Sequence, residues 1–372
     1  MAVIITTSLI SLLFVILSKF EKRIDWFKLA FLIVIFVACI HYNYGNDYKG
    51  YYWNWTFISE NSLKSLLSAS RFSFYNYAKP ETGWIVLNKI FSFKNGFYYM
   101  VAALNIIEGV IYYKFIKKFV PQKLYVWAFF LYIFTYKYYL LNFSMMRQGF
   151  SMAIVLLSFM YFCDKSYKKT IIAIAIAVSI HSAAIIMIPV FIICKFEEKI
   201  RLRTFSLIIL VLTVLIFLAS SFSSRIFNLL ISLSFFSDYK TFYAGTLSTN
   251  TIGLGFVLLS IPYIVMIYYM IFNSKDITTD YRYLIVLAYI AFLTKPFEFV
   301  GAALVTRIGY YFSIFDIAIV PILYSRIKRP LVRYILFFSL LAITIYTYFG
   351  FYSDPTYQEA FSEFHSIFEF FK

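Results

Sequence analysis

Apolar stretches at about 2–18, 97–116, 124–141, 146–163, 204–222, 252–272 and 331–350 are each long enough to cross ~30 Å of hydrocarbon as a helix. Shorter or interrupted runs lie at about 28–41, 282–294 and 305–324. In a chain that is 62% hydrophobic and 14% charged, a soluble domain has no way to bury so much apolar surface. The expected fold class is all-α: a polytopic integral membrane protein of about ten transmembrane helices. The whole chain, 1–372, is read as a single transmembrane domain. The first run, Ala2 to Leu17, has neither a basic leader nor a small-residue cleavage site, so it is read as a retained span.

A formal charge of +16 invites a nucleic-acid partner, but the basic residues fall in short clusters between apolar runs. That is the positive-inside pattern of a membrane protein, and no nucleic acid is expected. Cys39, Cys163 and Cys194 lie in or beside apolar segments without metal-type spacing.

The stretch 170–194 decides the topology. Two apolar halves, Ile171–Ile180 and Ala183–Cys194, meet at His181-Ser182, with Pro189 in the second. Read as a re-entrant helical hairpin, it puts the clusters Lys19–Lys28, Lys114–Lys123, Lys165–Lys169, Lys195–Arg203 and Arg326–Arg333 on the cytoplasmic side. Most of the 34 Lys and Arg are then inside, whereas a single crossing would divide them almost evenly. Backbone freed at such a break is tolerated only where protein or water surrounds it.

Two regions are too polar to span and too apolar to hang free. One is the external loop 42–96, with Leu63, Leu66, Leu67 and Phe74 at helical spacing, then Trp84, Leu87 and Phe91. The other is the external loop 223–250, with Ile226, Leu229, Leu230 and Leu233. Both are expected to form amphipathic helices in the outer interface. The acidic tail 351–372 is also placed outside.

Polar groups converge on that outer side. They are Tyr44-Gly45-Asn46-Asp47-Tyr48 with Tyr51 and Tyr52, Glu81-Thr82-Gly83-Trp84, Arg147-Gln148-Gly149, His181-Ser182, and Arg307 with Tyr310 and Tyr311. Arginine offers a planar fork of donors suited to phosphate, and a histidine or carboxylate can serve as general base. Plainer roles stand beside these. Asp47 can cap a helix, Glu81 can be a first-turn carboxylate, and Arg147 can anchor to headgroups. His181 can be a packing histidine, and Arg307 can pair with Glu298 or Asp316. Mid-span Glu108, beside Asn105, and Asp316 are read as structural ion-pair members.

The order Tyr44-Gly45-Asn46-Asp47-Tyr48…Tyr51, then Glu81 to Asn88, resembles the outer-loop signature of the EpsG family of exopolysaccharide and O-antigen polymerases. So do Arg147-Gln148 with Ala153 and the basic turn Lys165–Lys169, the run Ile180-His181-Ser182-Ala183-Ala184-Ile185, and Arg307 with Tyr310-Tyr311-Phe312. The resemblance covers about 40–325, and Asn46 stands where members usually have a small or hydroxyl residue. It implies a Wzy-type polymerase: a glycosyltransferase-type enzyme of the bacterial cytoplasmic (inner) membrane, multi-pass, with its site facing outside. Its substrate would be an undecaprenyl-diphosphate-linked oligosaccharide for capsule, exopolysaccharide or O-antigen, and its partners membrane lipid, a chain-length regulator and a flippase.

The expected catalytic residues are His181, Asp47 and Arg147, and the expected substrate-binding residues are Arg307, Glu81, Gln148, Tyr48 and Tyr311. No metal and no cofactor is expected. Other classes fit less well. A polyprenyl-linked glycosyltransferase adding one sugar shares the layout, with Asp47 catalytic. A flippase or transporter would favour midplane sites and internal repeats. An acyltransferase would favour a cytoplasmic histidine.

The hairpin predicts that Lys168 and Lys199 both face the cytoplasm. Single cysteines at these positions, in a cysteine-free background, should both resist a membrane-impermeant thiol reagent. Labelling at position 199 alone would leave a single crossing instead.

Overall fold

A computed structural model describes residues 1–21, 23–68, 80–219, 254–272, 277–299 and 303–370. Expectations for Phe74, for the loop 223–250 with Ile226, Leu229, Leu230 and Leu233, and for Lys22 lie outside the described residues. The described chain is helical apart from one two-residue strand pair. It folds as two compact units, Met1–Ile185 with Thr344–Lys372, and Ile186–Ile343.

The first unit begins with α1 (Ala2–Leu17) and α2 (Trp26–Ile40), which pack together. Asp25 starts α2 by accepting the Lys28 N–H at 3.0 Å. A short strand, β1 (His41–Tyr42), leads to α3 (Tyr48–Glu60), α4 (Leu63–Ser68) and α5 (Thr82–Ile90). α4 and α5 fall where helices were expected between 42 and 96, and α3 is an additional one. Ile58, Leu66 and Ile85 form their common core, and the Lys89 ammonium closes the end of α3 by donating to the carbonyls of Ile58, Ser59 and Asn61.

Next come α6 (Gly96–Phe119), α7 (Tyr125–Phe134), α8 (Tyr139–Asn142), α9 (Met146–Cys163) and α10 (Tyr167–Ile180). The expected span 124–141 is therefore interrupted at 135–138, where Lys137 is buried. Helix α9 is buried at nearly every position, as expected of a helix apolar all round. α6 and α10 flank it. Among the described residues Glu108 has no ion-pair partner: its carboxylate accepts from the Asn142 amide at 2.6 Å, and Asn105 turns back to the Val101 carbonyl. At the opposite end of α6 from Gly96, Lys118 pairs with Asp164 at 2.5 Å, and Asp25, Tyr113 and Lys117 form a hydrogen-bonded chain.

The break at His181-Ser182 is present. α10 stops at Ile180, a 3-10 turn covers Ser182–Ile186, and α11 (Met187–Glu197) follows, with Pro189 in its first turn. The two arms belong to different units.

The second unit holds α11, α12 (Leu202–Ala219), α13 (Leu254–Phe272), α14 (Thr279–Phe299), α15 (Ala303–Ser313) and α16 (Asp316–Arg326). α14 touches all five of the others. Its run Tyr283 to Tyr289 is buried without interruption, so it forms the hub. Arg282, near its start, grips Glu197 through two nitrogens, at 2.7 and 3.1 Å, and also donates to the carbonyls of Glu197 and Ile200. The expected span 305–324 is two helices bent by 54°. Asp316 opens the second one and accepts the Tyr263 hydroxyl at 2.5 Å.

α17 (Pro330–Ser353) leads into a C-terminal segment with α18 (Pro355–Gln358), β2 (His365–Ser366) and α19 (Ile367–Phe370). β2 pairs antiparallel with β1, His41 opposite Ser366 and Tyr42 opposite His365. Among the described residues, four helical segments are long and apolar enough to cross a membrane: Gly96–Phe119, Gln122–Asn142, Met146–Cys163 and Pro330–Ser353. The bent pair makes a fifth if taken as one span, and four shorter apolar helices accompany them. This is an all-α membrane protein.

Candidate functional site

Four helix ends of the first unit meet on the side of β1 and β2: the starts of α3, α5 and α9, and the end of α10. Each brings one of the expected residues.

Glu81 stands at the N-cap of α5 with extended backbone, but its carboxylate makes no bond to its own helix. One oxygen pairs with Arg147 Nη1 at 2.7 Å, and the other accepts the Ser182 N–H at 2.8 Å. That N–H belongs to the residue where α10 has just ended, so the carboxylate supplies the acceptor the helix no longer provides. A buried N–H left without one costs about 1–3 kcal/mol. His181 is close enough to act on the same carboxylate electrostatically. The plain reading of Glu81, a first-turn carboxylate serving α5, does not describe this arrangement.

Gly83 makes the approach possible. A Cβ on it would lie 2.2 Å from Ser179 Oγ and 2.7 Å from the Ser179 carbonyl oxygen, so only glycine lets the first turn of α5 rest on the last turn of α10. Ser179 itself turns its hydroxyl back to Ile176 O at 2.8 Å, as serines do near helix breaks.

Burial by itself would raise the Glu81 pKa. The Arg147 guanidinium, His181 and the Ser182 N–H outweigh it, and the carboxyl is held below its ordinary range. Arg147 lies in the first turn of α9, where the helix dipole is unfavourable to a cation. Glu81 offsets that penalty, and together the guanidinium and the N-terminal end of the helix form a positive end suited to an anion.

Asp47 occupies the N-cap of α3 with no capping bond from its side chain. One turn further, Tyr51 packs its ring on buried Trp84 with centroids 5.6 Å apart. Burial raises the Tyr51 pKa, and the neighbouring Arg147 opposes the rise. Asp47 contributes to the same local field. The site thus gathers Asp47, Glu81, Arg147 and His181 from the expected set, and adds Tyr51, Trp84 and the Ser182 N–H. Tyr51 was visible in the sequence as the residue one helical turn after Asp47.

The remaining expected residues are placed differently. Tyr48 is buried, its ring 5.3 Å from those of His41 and Phe97, in the packing beneath α3. Gln148 is buried in the first turn of α9. Arg307 and Tyr311 sit on α15 in the second unit, Arg307 half-buried and Tyr311 fully buried. Among the described residues, no group of three or more His, Cys, Asp and Glu gathers as a metal site would need.

Two outcomes test this geometry. Gly83→Ala should lower the unfolding temperature in detergent, since overpacking costs about 1–3 kcal/mol. Adding Ser179→Ala should recover only part of it, because the Ser179 backbone carbonyl also stands in the way. The second concerns pH. With its folded pKa depressed, Glu81 contributes stability that is fully present above the ordinary carboxylate range and is lost as pH falls through the folded value. Wild-type protein should therefore lose stability on acidification below about pH 4, its unfolded value. Glu81→Gln should be less stable at neutral pH and show a shallower acid loss by thermal unfolding.

No curated protein and no solved structure gives a significant match. A family model described as the EpsG family matches residues 24–364, and with it the chain is placed: it belongs to the EpsG family.

Proposed function

We propose that the protein extends glycan chains on a lipid carrier at the outer face of the bacterial cytoplasmic membrane. In this reading it transfers the growing chain from undecaprenyl diphosphate to the next lipid-linked repeat. The observation that carries the reading is the convergence of Glu81, Arg147 and the Ser182 N–H at the N-terminal end of α9. A lipid diphosphate leaving group needs a fixed positive site within reach of the membrane, and a guanidinium at a helix N-terminus has that chemistry.

In the step we propose, the acceptor sugar hydroxyl attacks the anomeric carbon of the growing chain. The bond from that carbon to the diphosphate oxygen breaks, and the electron pair leaves with undecaprenyl diphosphate. Arg147 neutralises the charge that develops there, with Glu81 as its resting counter-ion and steadying contact. The hydroxyl proton passes to the His181 imidazole, with Asp47 the second position for a base. Tyr51 and Trp84 border the acceptor. Gln148 belongs to the wider binding region of the first unit in this proposal, and Tyr48 backs it from beneath α3; Arg307 and Tyr311 are proposed as substrate-binding residues of the second unit. About ten crossings with a re-entrant hairpin at 170–194 complete it, and interfacial helices over 42–96 admit the polyprenyl tail from the side.

The test is the length distribution of the surface glycan. Cells lacking the protein should still display single repeats but lose the ladder of long chains, and the wild-type copy should restore it. Arg147→Ala should reduce extension by on the order of 100-fold or more, the scale of losing one fixed transition-state donor. Arg147→Lys should keep only part of the activity, because it retains charge without the planar fork. Near-wild-type ladders from both variants would remove Arg147 from the site. A repeat missing one sugar would point to a single-sugar transferase, and complete repeats accumulating on the cytoplasmic face would point to a flippase.

A further inference from the structure

The turn that carries Asp47 is held from two sides. Asn43 has φ 48° and Gly45 φ 114°, so two residues within three adopt left-handed backbone, which asparagine and glycine reach at little cost. A Cβ on Gly45 would lie 2.3 Å from the Phe143 carbonyl oxygen, so only glycine fits there.

One side of the surroundings is the segment leading into α9. Phe143 lies against Gly45, and Ser144 hydrogen-bonds Asn46. The other side is the C-terminal segment. Gly45 donates its N–H to the Ala360 carbonyl at 3.1 Å, and β1 pairs with β2 just before the turn. The Tyr44 ring is fully buried, 4.8 Å from Phe361 and 5.3 Å from Phe364. Phe361 is fully buried in turn, against Phe351 at 4.9 Å. Asp354 starts this segment by accepting the Thr356 N–H at 2.8 Å.

We propose that the C-terminal segment 354–370 is a positioning element of the outer site, holding the Tyr44–Asp47 turn against the segment that presents Arg147. The segment acts through the turn. This rests on the site proposed above, so its test includes a measurement that does not depend on glycan synthesis.

Hydrogen exchange over 41–48 in purified protein reads the turn directly. The full chain should protect the Gly45 amide, and a chain ending at Ser353 should lose that protection. Phe361→Ala, a smaller change in case the truncated chain fails to fold, should speed exchange at 41–48 at least tenfold and shorten the glycan ladder. Phe361→Leu should restore both in large part. A disulfide between Tyr42→Cys and His365→Cys, in a cysteine-free background, should leave chain extension at the level of the reduced form.

Unchanged exchange in Phe361→Ala overturns the proposal. So does faster exchange with a wild-type ladder, which would leave the contact purely structural. Loss of activity on forming the disulfide, regained with reductant, overturns it in favour of a segment that must move to admit substrate. If exchange responds as expected while Arg147→Ala leaves the ladder intact, it is the site assignment that fails, not the positioning of the turn.

Discussion

The helix break at His181 is possible because a carboxylate from another helix takes over the backbone group it releases. In a membrane protein an interrupted helix must find acceptors within the protein, since lipid offers none. Glu81 supplies one to Ser182 and uses its second oxygen for Arg147. Three segments far apart in sequence are thereby tied at one point, and each brings a group with possible chemistry: His181 beside the break, Arg147 at the head of α9, and the start of α5 with Trp84. Without Glu81 the same sequence would leave a half-buried N–H without this acceptor and a cation at the wrong end of a helix dipole. The two penalties are met by one side chain.

Much of this was legible in the sequence. The apolar runs became helices because a chain of this composition has no other way to pair its backbone in lipid. The interruption at His181-Ser182, helices within 42–96 and the grouping of Asp47, Glu81, Arg147 and His181 all follow from residue type and order. What could not be read was pairing. Nothing in the string says that Glu81 reaches Arg147 and Ser182 at once, since that depends on Gly83 meeting Ser179, a contact 96 positions apart. Tyr48 looked like a better site residue than Tyr51, yet they occupy different sectors of one helix, and packing with His41 and Phe97 claims the first. The interruption at 135–138 was missed because it carries neither the Gly nor the Pro that usually marks a break.

Buried polar groups in both units are neutralised locally. Glu108 rests on an amide and Asp316 receives a phenol, while Glu197 meets Arg282 through a two-point fork. Expecting a salt bridge for Glu108 follows from charge alone. The fold supplies hydrogen-bond donors of other kinds, which cost less desolvation than a second ion.

Enclosure of α9 along nearly its whole length has a consequence for how such a site can diversify. A guanidinium at the tip of a rod packed on all sides keeps its coordinates whatever happens in the thinner layer of α3, α4 and α5. That outer layer has a small shared core of Ile58, Leu66 and Ile85, and leaves Tyr52 and Trp53 exposed. Substitutions there disturb little packing. In the reaction proposed above, anchoring and recognition would thus be mechanically separate, so a change in the glycan accepted need not disturb the grip on its carrier.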